Sequence, residues 1–147
     1  MPKARSAVIH NIERSIHEIT WRDRRQFARL VSDFRLSALQ YFALHEICRL
    51  GPNVTMGSVG EVIQVPPSSM TNIVDRLVNA GLVVRGTTSS DRRAVVVDLT
   101  PVGADLISRV ESVRQEFLTD ALKNQSDSDL AELDRLLGDL LAGMAAR

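Results

Sequence analysis

Short polar side chains are grouped at the start of a predicted helix near the middle of the chain, directly after Pro66 and Pro67. Hydroxyl and amide groups of this size can bind base edges in the major groove of DNA, and asparagine can pair with adenine through two hydrogen bonds. An arginine one turn later is placed for a phosphate, which the N-terminus of a helix also attracts. Taken alone, the same residues could simply begin a helix. The candidates for this chemistry are Ser68, Ser69, Thr71, Asn72 and Arg76.

A second basic group lies in the polar segment 86–93, between two runs rich in β-branched residues. Arg92 and Arg93 are predicted at the tip of a hairpin, where an arginine could enter a narrow minor groove. Asp91 could orient one guanidinium through a charge-assisted hydrogen bond. Arg85 ends the first run and is predicted to support the loop with Asp91. The alternative is a pair of solvated arginines on a polar turn.

Helical periodicity predicts the elements that position these groups. Isoleucines at 3-4 spacing predict a first helix near the start of the chain, and Gly51-Pro52 ends a second apolar helix. Thr55 is a predicted N-cap for a short helix. Pro67 suits the first turn of the next helix, which Gly81 closes. The apolar positions of the four helices are Ile9, Ile12, Ile16, Ile19, Phe27, Leu30 and Val31; Leu36, Leu39, Phe42, Ile47 and Leu50; Val59, Val62 and Ile63; and Met70, Ile73, Val74, Leu77 and Val78.

The pattern then changes to that of strands. Residues 82–85 and 94–99 predict a β-hairpin around the polar loop, with Val95, Val97 and Leu99 on one buried face. Two helices joined by a tight turn and followed by a hairpin form a winged helix-turn-helix. The predicted fold is therefore mostly α-helical with a small β-hairpin wing.

Two further helices complete the prediction. Thr100 and Pro101 are suited to cap and begin the first of them, and the second follows Ser126. Its leucines repeat with the 3-4 spacing of one strand of a coiled coil. They are Leu130, Leu133, Leu137 and Leu140, followed by Met144.

Composition excludes several classes of protein. With 44% hydrophobic and 24% charged residues, the 147-residue chain is globular rather than disordered. A single cysteine excludes an internal disulfide and a cysteine-cluster metal site, and no cofactor motif is present. No nucleophile stands at recognisable spacing from a base, so the chain is not expected to be an enzyme. The lack of a long apolar run or signal peptide predicts a cytoplasmic protein.

The formal net charge is zero, but the charges are unevenly distributed. Residues 1–35 carry a net +4, residues 36–100 carry none, and residues 101–147 carry −4. Phosphates feel charges only within about 8–10 Å at physiological salt. DNA affinity would therefore have to come from a few placed residues.

Two other kinds of site are weaker candidates. Cys48, flanked by Ile47 and near Leu50, is predicted to be a buried, inert thiol rather than a redox switch. His10 and His17 share a helical stripe with Trp21, which is more typical of a helix–helix interface than of a metal site.

Residues 55–103 resemble the core of the MarR (multiple antibiotic resistance regulator) family. The resemblance is carried by residues 70–77, 81–85, 91–93 and 99–103, and the flanking helices extend it over nearly the whole chain. In the family pattern the wing reads Asp, any residue, Arg, which makes Arg93 the residue for the minor groove. Pro66, Asn72 and Gly60 depart from it, standing where a capping residue, a basic residue and a larger residue are usual.

The resemblance implies a homodimer that binds a pseudo-palindromic operator in double-stranded DNA, as a repressor relieved by a small-molecule effector. It divides the chain into an N-terminal dimerisation helix (1–35), a DNA-binding lobe (36–103) and C-terminal dimerisation helices (104–147). An effector pocket would lie between the dimerisation helices and the lobe, and its candidate residues are Trp21, Arg25, Tyr41, Phe42 and His45. The alternative function is a winged-helix protein-interaction module with little DNA affinity, which the neutral central segment and Asn72 favour.

Overall fold

A computed structural model describes residues 2–87 and 94–145. In chain order the elements are α1 (Pro2–Asp33), α2 (Ala38–Leu50), β1 (Val54–Thr55), α3 (Met56–Ile63), α4 (Pro67–Asn79), β2 (Val83–Thr87), β3 (Val95–Leu99), α5 (Pro101–Leu122) and α6 (Asp127–Ala145). The chain forms two compact units, Met1–Val110 and Glu111–Arg147. The predicted mostly helical fold with a β-hairpin is confirmed, and the functional boundaries after residues 35 and 103 stay predictions.

The helix ends follow from local sequence. Ser37 caps α2 with a full capping box, because its hydroxyl accepts from the Gln40 N–H while the Gln40 side chain accepts from the Ser37 N–H. The predicted N-cap Thr55 accepts from the Ser58 N–H at 3.1 Å. Gly51 ends α2 with a φ of 88°, which an L side chain rarely adopts. Gly81, with φ of 72°, follows the cap residue of α4.

The sheet is larger than predicted, because the two-residue strand β1 adds to the hairpin. The strand order is β1-β3-β2 and both pairings are antiparallel, with Arg85 opposite Val97 and Val54 also opposite Val97. Burial on β3 differs from the predicted alternation. Val96 and Val97 are both buried whereas Val95 is exposed, so the prediction that Val95 faces the core is wrong. β1 covers β3 only at Val96 and Val97, which leaves the end of β3 at Val95 open.

The core of the first unit joins α2, α3, α4 and the strands with the last part of α1 and the first part of α5. Its fully buried side chains are aliphatic or sulfur-containing, as the low aromatic content requires. They are Val31, Leu44, Ile47, Val59, Met70, Val74, Leu77, Val83, Val96, Val97 and Val110.

The second unit holds the end of α5 and all of α6. Ser126 caps α6 and is bound in turn by the Asp129 carboxylate. Within the described residues of α6 no side chain is buried, and the apolar seam of Leu133, Leu137 and Leu140 is exposed. Among the residues that the structure describes, no helix has the length and apolar character needed to cross a membrane.

Candidate nucleic-acid interface

The helix α4 is amphipathic, with one apolar face and one polar face. It begins at Pro67, whose missing N–H costs nothing in the first turn, and among the described residues no side chain caps it. Its inner face buries four residues: Met70, Ile73, Val74 and Leu77. Each of the five predicted contact residues lies on the outer side and is exposed: Ser68, Ser69, Thr71, Asn72 and Arg76. The structure thus brings these five side chains together on one surface.

Hydrogen bonds order the outer side of α4. The Thr71 hydroxyl donates to the Pro67 carbonyl at 3.1 Å, and Arg76 Nε donates to the Asn72 side-chain oxygen at 3.2 Å. The second bond joins residues one turn apart and keeps both side chains along the same line of the helix. Amide and guanidinium N–H donors therefore lie side by side on the exposed surface, where base edges and phosphates could accept from them.

Arg85 joins the hairpin to this helix. From β2 its guanidinium forms an ion pair with Asp75 through Nη1 and donates to the Thr71 carbonyl through Nη2 at 3.3 Å. The sequence predicted Arg85 to support the hairpin loop together with Asp91, and Asp75 was not considered as its partner. The signal available was weak, because an acid and an arginine ten residues apart show nothing of their contact before the strand and helix are placed.

The predicted wing residues Asp91, Arg92 and Arg93 lie outside the described residues, so their roles stay predictions. The strands that flank them are described. β2 ends at Thr87 and β3 begins at Val95, its register partner.

A second set of contacts holds the backbone directly after α4. The Thr100 hydroxyl donates to the Gly81 carbonyl at 2.7 Å and accepts from the Gly103 N–H at 3.1 Å, while the Thr100 N–H donates to the Leu82 carbonyl at 3.0 Å. Gly103 lies so close to Leu82 that a β-carbon there would overlap the carbonyl oxygen. The residues after α4 and the first turn of α5 are therefore packed backbone against backbone.

The predicted effector pocket is only partly assembled in the single chain. Tyr41, Phe42 and His45 lie together on α2, and Phe27 of α1 joins them with ring centroids 5.2 Å from Tyr41 and 5.3 Å from Phe42. Tyr41 is buried in the core, whereas Trp21 and Arg25 are exposed on α1. Phe27 was not among the predicted residues, since its apolar spacing marked it only as core.

A cavity of about 640 Å³ opens elsewhere, between α3, the start of α4 and the strands. None of the five predicted pocket residues lines it. Its walls are mainly apolar and include Gly60, where a β-carbon would lie only 3.0 Å from the Val65 carbonyl oxygen.

Cys48 is exposed, so the prediction of a buried thiol is wrong. The buried face of α2 runs through Tyr41, Leu44 and Ile47, and Cys48 lies about 100° around the helix from Ile47. His10 and His17 are exposed on α1. Within residues 2–87 and 94–145 no group of histidine, cysteine and carboxylate side chains could hold a metal ion.

Comparisons with known proteins agree with this architecture. The model of the MarR family matches residues 36–94. The uncharacterized HTH-type transcriptional regulator YsmB from Bacillus subtilis is 26% identical over 129 residues, which is 88% of each chain. A MarR family protein from Bacillus stearothermophilus has 24% identity and a TM-score of 0.83, covering 95% of this chain and 97% of its own.

A mutant of MarR from E. coli, solved in complex with operator DNA, is 29% identical to this chain. Its TM-score is 0.64, and the match covers 90% of this chain and 95% of the E. coli protein. The family model thus matches the helix-turn-helix, and the relatives match nearly the full length. Residues 36–94 are therefore similar to the MarR family, and nearly the whole chain is similar in fold to solved MarR proteins.

Proposed function

We propose that this chain is a sequence-specific transcriptional regulator that binds double-stranded DNA through α4. The observation that carries the proposal is the exposed polar side of α4, built beside a hairpin in a chain related to a protein solved with operator DNA. The matched relatives are transcriptional regulators rather than enzymes, in agreement with the absence of a catalytic motif in the sequence.

In this function α4 lies in the major groove. Ser68, Ser69, Thr71 and Asn72 face base edges and Arg76 binds a phosphate. Phosphate is also attracted to the first turn of α4, where N–H groups lack helical partners. Arg93 enters the adjacent minor groove, with Arg92 and Asp91 beside it.

The working form is a homodimer. On α1 the side chains of Ile9, Ile12, Ile16 and Ile19 are between 43% and 65% exposed, although their spacing makes one continuous apolar stripe. In the second unit α6 exposes Leu133, Leu137 and Leu140. Contiguous apolar surface of this extent is typical of an interface. Two copies would place two α4 helices about 34 Å apart, in successive major grooves of a pseudo-palindromic operator.

The regulator acts in the cytoplasm as a repressor that a small-molecule effector releases. The effector would bind near the aromatic group of Phe27, Tyr41, Phe42 and His45, with Trp21 and Arg25 approaching from α1. The exposed ring of Phe42 supports this proposal, because it is 46% exposed in the single chain although it stacks on Phe27.

The test is selection of duplexes from a random library by the purified protein, followed by binding measurements at several salt concentrations. We expect an enriched sequence with a two-fold repeat. Asn72→Ala is the matched variant, because Asn72 is exposed and its loss should leave the fold intact. It should relax the preference at one position in each half-site, where a good base contact contributes about 1–3 kcal/mol. An absence of any enriched duplex, with a protein partner recovered instead, would support the interaction module.

A further inference from the structure

Among the described residues, the side chain of Arg85 joins the recognition helix α4 to the hairpin. Arg85 reaches from β2 to two groups of α4, the Asp75 carboxylate and the Thr71 carbonyl oxygen. A helical carbonyl points toward the residue four positions later, so the Thr71 carbonyl oxygen lies near Asp75. A single guanidinium therefore binds both a side chain and a backbone carbonyl of α4.

The backbone of Arg85 is held in the sheet. Its register partner in β3 is Val97, which is fully buried. Side chains directly opposite each other in an antiparallel pair point to the same face of the sheet. Arg85 thus leaves the sheet on the side that packs against the helices, and its guanidinium meets the rim of α4.

The residues of α4 that contact Arg85 form one line along the helix, and residues proposed to contact DNA form the neighbouring line. Thr71 and Asp75 are followed directly by Asn72 and Arg76, which lie about 100° further around the helix. A rotation of α4 about its own axis, or a change in its angle to β2, would shift both lines together. Arg85 opposes such movement because its planar fork binds at two points.

The bridge is poorly suited to stabilising the fold. The Arg85 side chain is 34% exposed and that of Asp75 is 49% exposed, and ion pairs in such positions contribute little to the free energy of unfolding. The four buried residues of α4 already anchor the helix to the core. The bridge instead fixes the orientation of the outer surface of α4 relative to the hairpin.

We infer that Arg85 and Asp75 are positioning residues for DNA recognition, which set α4 against the hairpin and so determine sequence discrimination. This inference rests on the proposed function. It differs from a direct role of Arg85 as a phosphate contact. If Arg85 positions α4, its acidic partner Asp75 is required for specificity, although the charge of Asp75 repels DNA.

The sign of the effect of Asp75→Asn tests the inference. The variant keeps Arg85 and removes one negative charge from each chain, so simple electrostatics predicts tighter binding to any duplex. Positioning predicts a loss of discrimination instead. The ratio of affinities for the duplex selected by the wild type and for a scrambled duplex of equal length should fall about fivefold, the size of one weakened base contact. Affinity for the scrambled duplex should stay equal or rise.

Arg85→Lys is the second variant. It keeps the charge but replaces the fork by a point charge, so the ratio should also fall while the salt dependence is unchanged. Arg49→Gln is the control, because Arg49 forms an ion pair with Glu46 within α2 and should leave the ratio unchanged. Urea midpoints of all variants are compared with the wild type, and Arg85→Lys carries the test if Asp75→Asn lowers the midpoint.

The outcomes separate the two proposals. An Asp75→Asn variant that binds the selected duplex at least as tightly, with an unchanged ratio, would overturn the positioning role while leaving the DNA-binding function intact. A wild-type protein that shows no preference between the duplexes would overturn the proposed function, and the inference with it.

Discussion

Replacing Gly103 by alanine should destabilise the chain, although alanine is the better helix former. Gly103 lies in the first turn of α5, where a β-carbon would overlap the Leu82 carbonyl oxygen and lie 2.8 Å from Leu99 Cδ1. The leucine methyl could rotate away, but the carbonyl belongs to the backbone. It also accepts the Thr100 N–H at 3.0 Å. The overlap can therefore be relieved only by moving the segment that follows α4.

The size of the effect can be worked from these contacts. Overpacking that forces backbone to shift costs about 1–3 kcal/mol, and a backbone overlap belongs at the upper end of that range. Weakening the bond from the Thr100 N–H adds about 1 kcal/mol. The higher helix propensity of alanine returns about 1 kcal/mol. We expect Gly103→Ala to lower the free energy of unfolding by about 3 kcal/mol.

Urea unfolding followed by far-UV circular dichroism measures this change, at one fixed protein concentration because association would alter the midpoint. For a chain of this length the melting temperature should fall by about 6–12 °C. Gly57→Ala is the control, since a β-carbon at Gly57 meets only the Thr55 hydroxyl at an ordinary 3.9 Å. Its stability should be unchanged or higher by up to about 1 kcal/mol. If both variants unfold at the wild-type midpoint, the close approach at Gly103 does not constrain the fold.

Four further predictions concern single side chains. Arg93→Ala should weaken binding to the selected duplex and reduce the slope of log affinity against log salt by about one, without lowering the urea midpoint; equal affinity at every salt concentration would contradict the wing assignment. Thr100→Val removes both hydrogen bonds of the hydroxyl and should cost about 1–2 kcal/mol of unfolding free energy, so an unchanged urea midpoint would argue against this junction. Cys48 should react with a thiol reagent in the native protein, whereas reaction only after unfolding would show that assembly covers it. The hydrogen bond from Arg135 lowers the pKa of Glu132, so the carboxylate's contribution to stability is present at neutral pH and is lost as the pH falls through the lowered pKa. Arg135→Met should return the pKa of Glu132 toward its ordinary value in an NMR titration, and no change would refute the pairing.

The helices and the hairpin could be predicted because each has local signals. Gly51 and Thr55 mark an end and a beginning, and the structure places a helix terminus at both. β1 carried no comparable signal, since two residues form a strand only when β3 is present to pair with them. The predicted burial of Val95 was wrong for a similar reason. Strict alternation assumes that one face of a strand is covered along its whole length, whereas the neighbouring elements cover only part of it.

The contacts that position α4 were beyond sequence reasoning. The polar residues on its outer side follow from helical periodicity, but Arg85 meets Asp75 only because β2 turns back along the helix. The exposure of Cys48 was misjudged because apolar neighbours in sequence are not neighbours in space on a helix. Ile47 is buried and Cys48 is not, although they are adjacent.

The contacts that hold α4 matter for the proposed DNA binding because the predicted DNA-binding lobe carries little net charge. Residues 36–100 carry no net charge, so bulk attraction to phosphate contributes little and binding depends on a few side chains held in the correct place. Arg85 holds the middle of α4 against the hairpin, and the Thr100 junction holds the backbone directly after its last turn. In the proposed complex, a helix held at these two places would lose little conformational freedom on entering the groove, which lowers the entropic cost of binding. Loosening the Arg85 contact should therefore reduce discrimination between duplexes more than it reduces the stability of the fold.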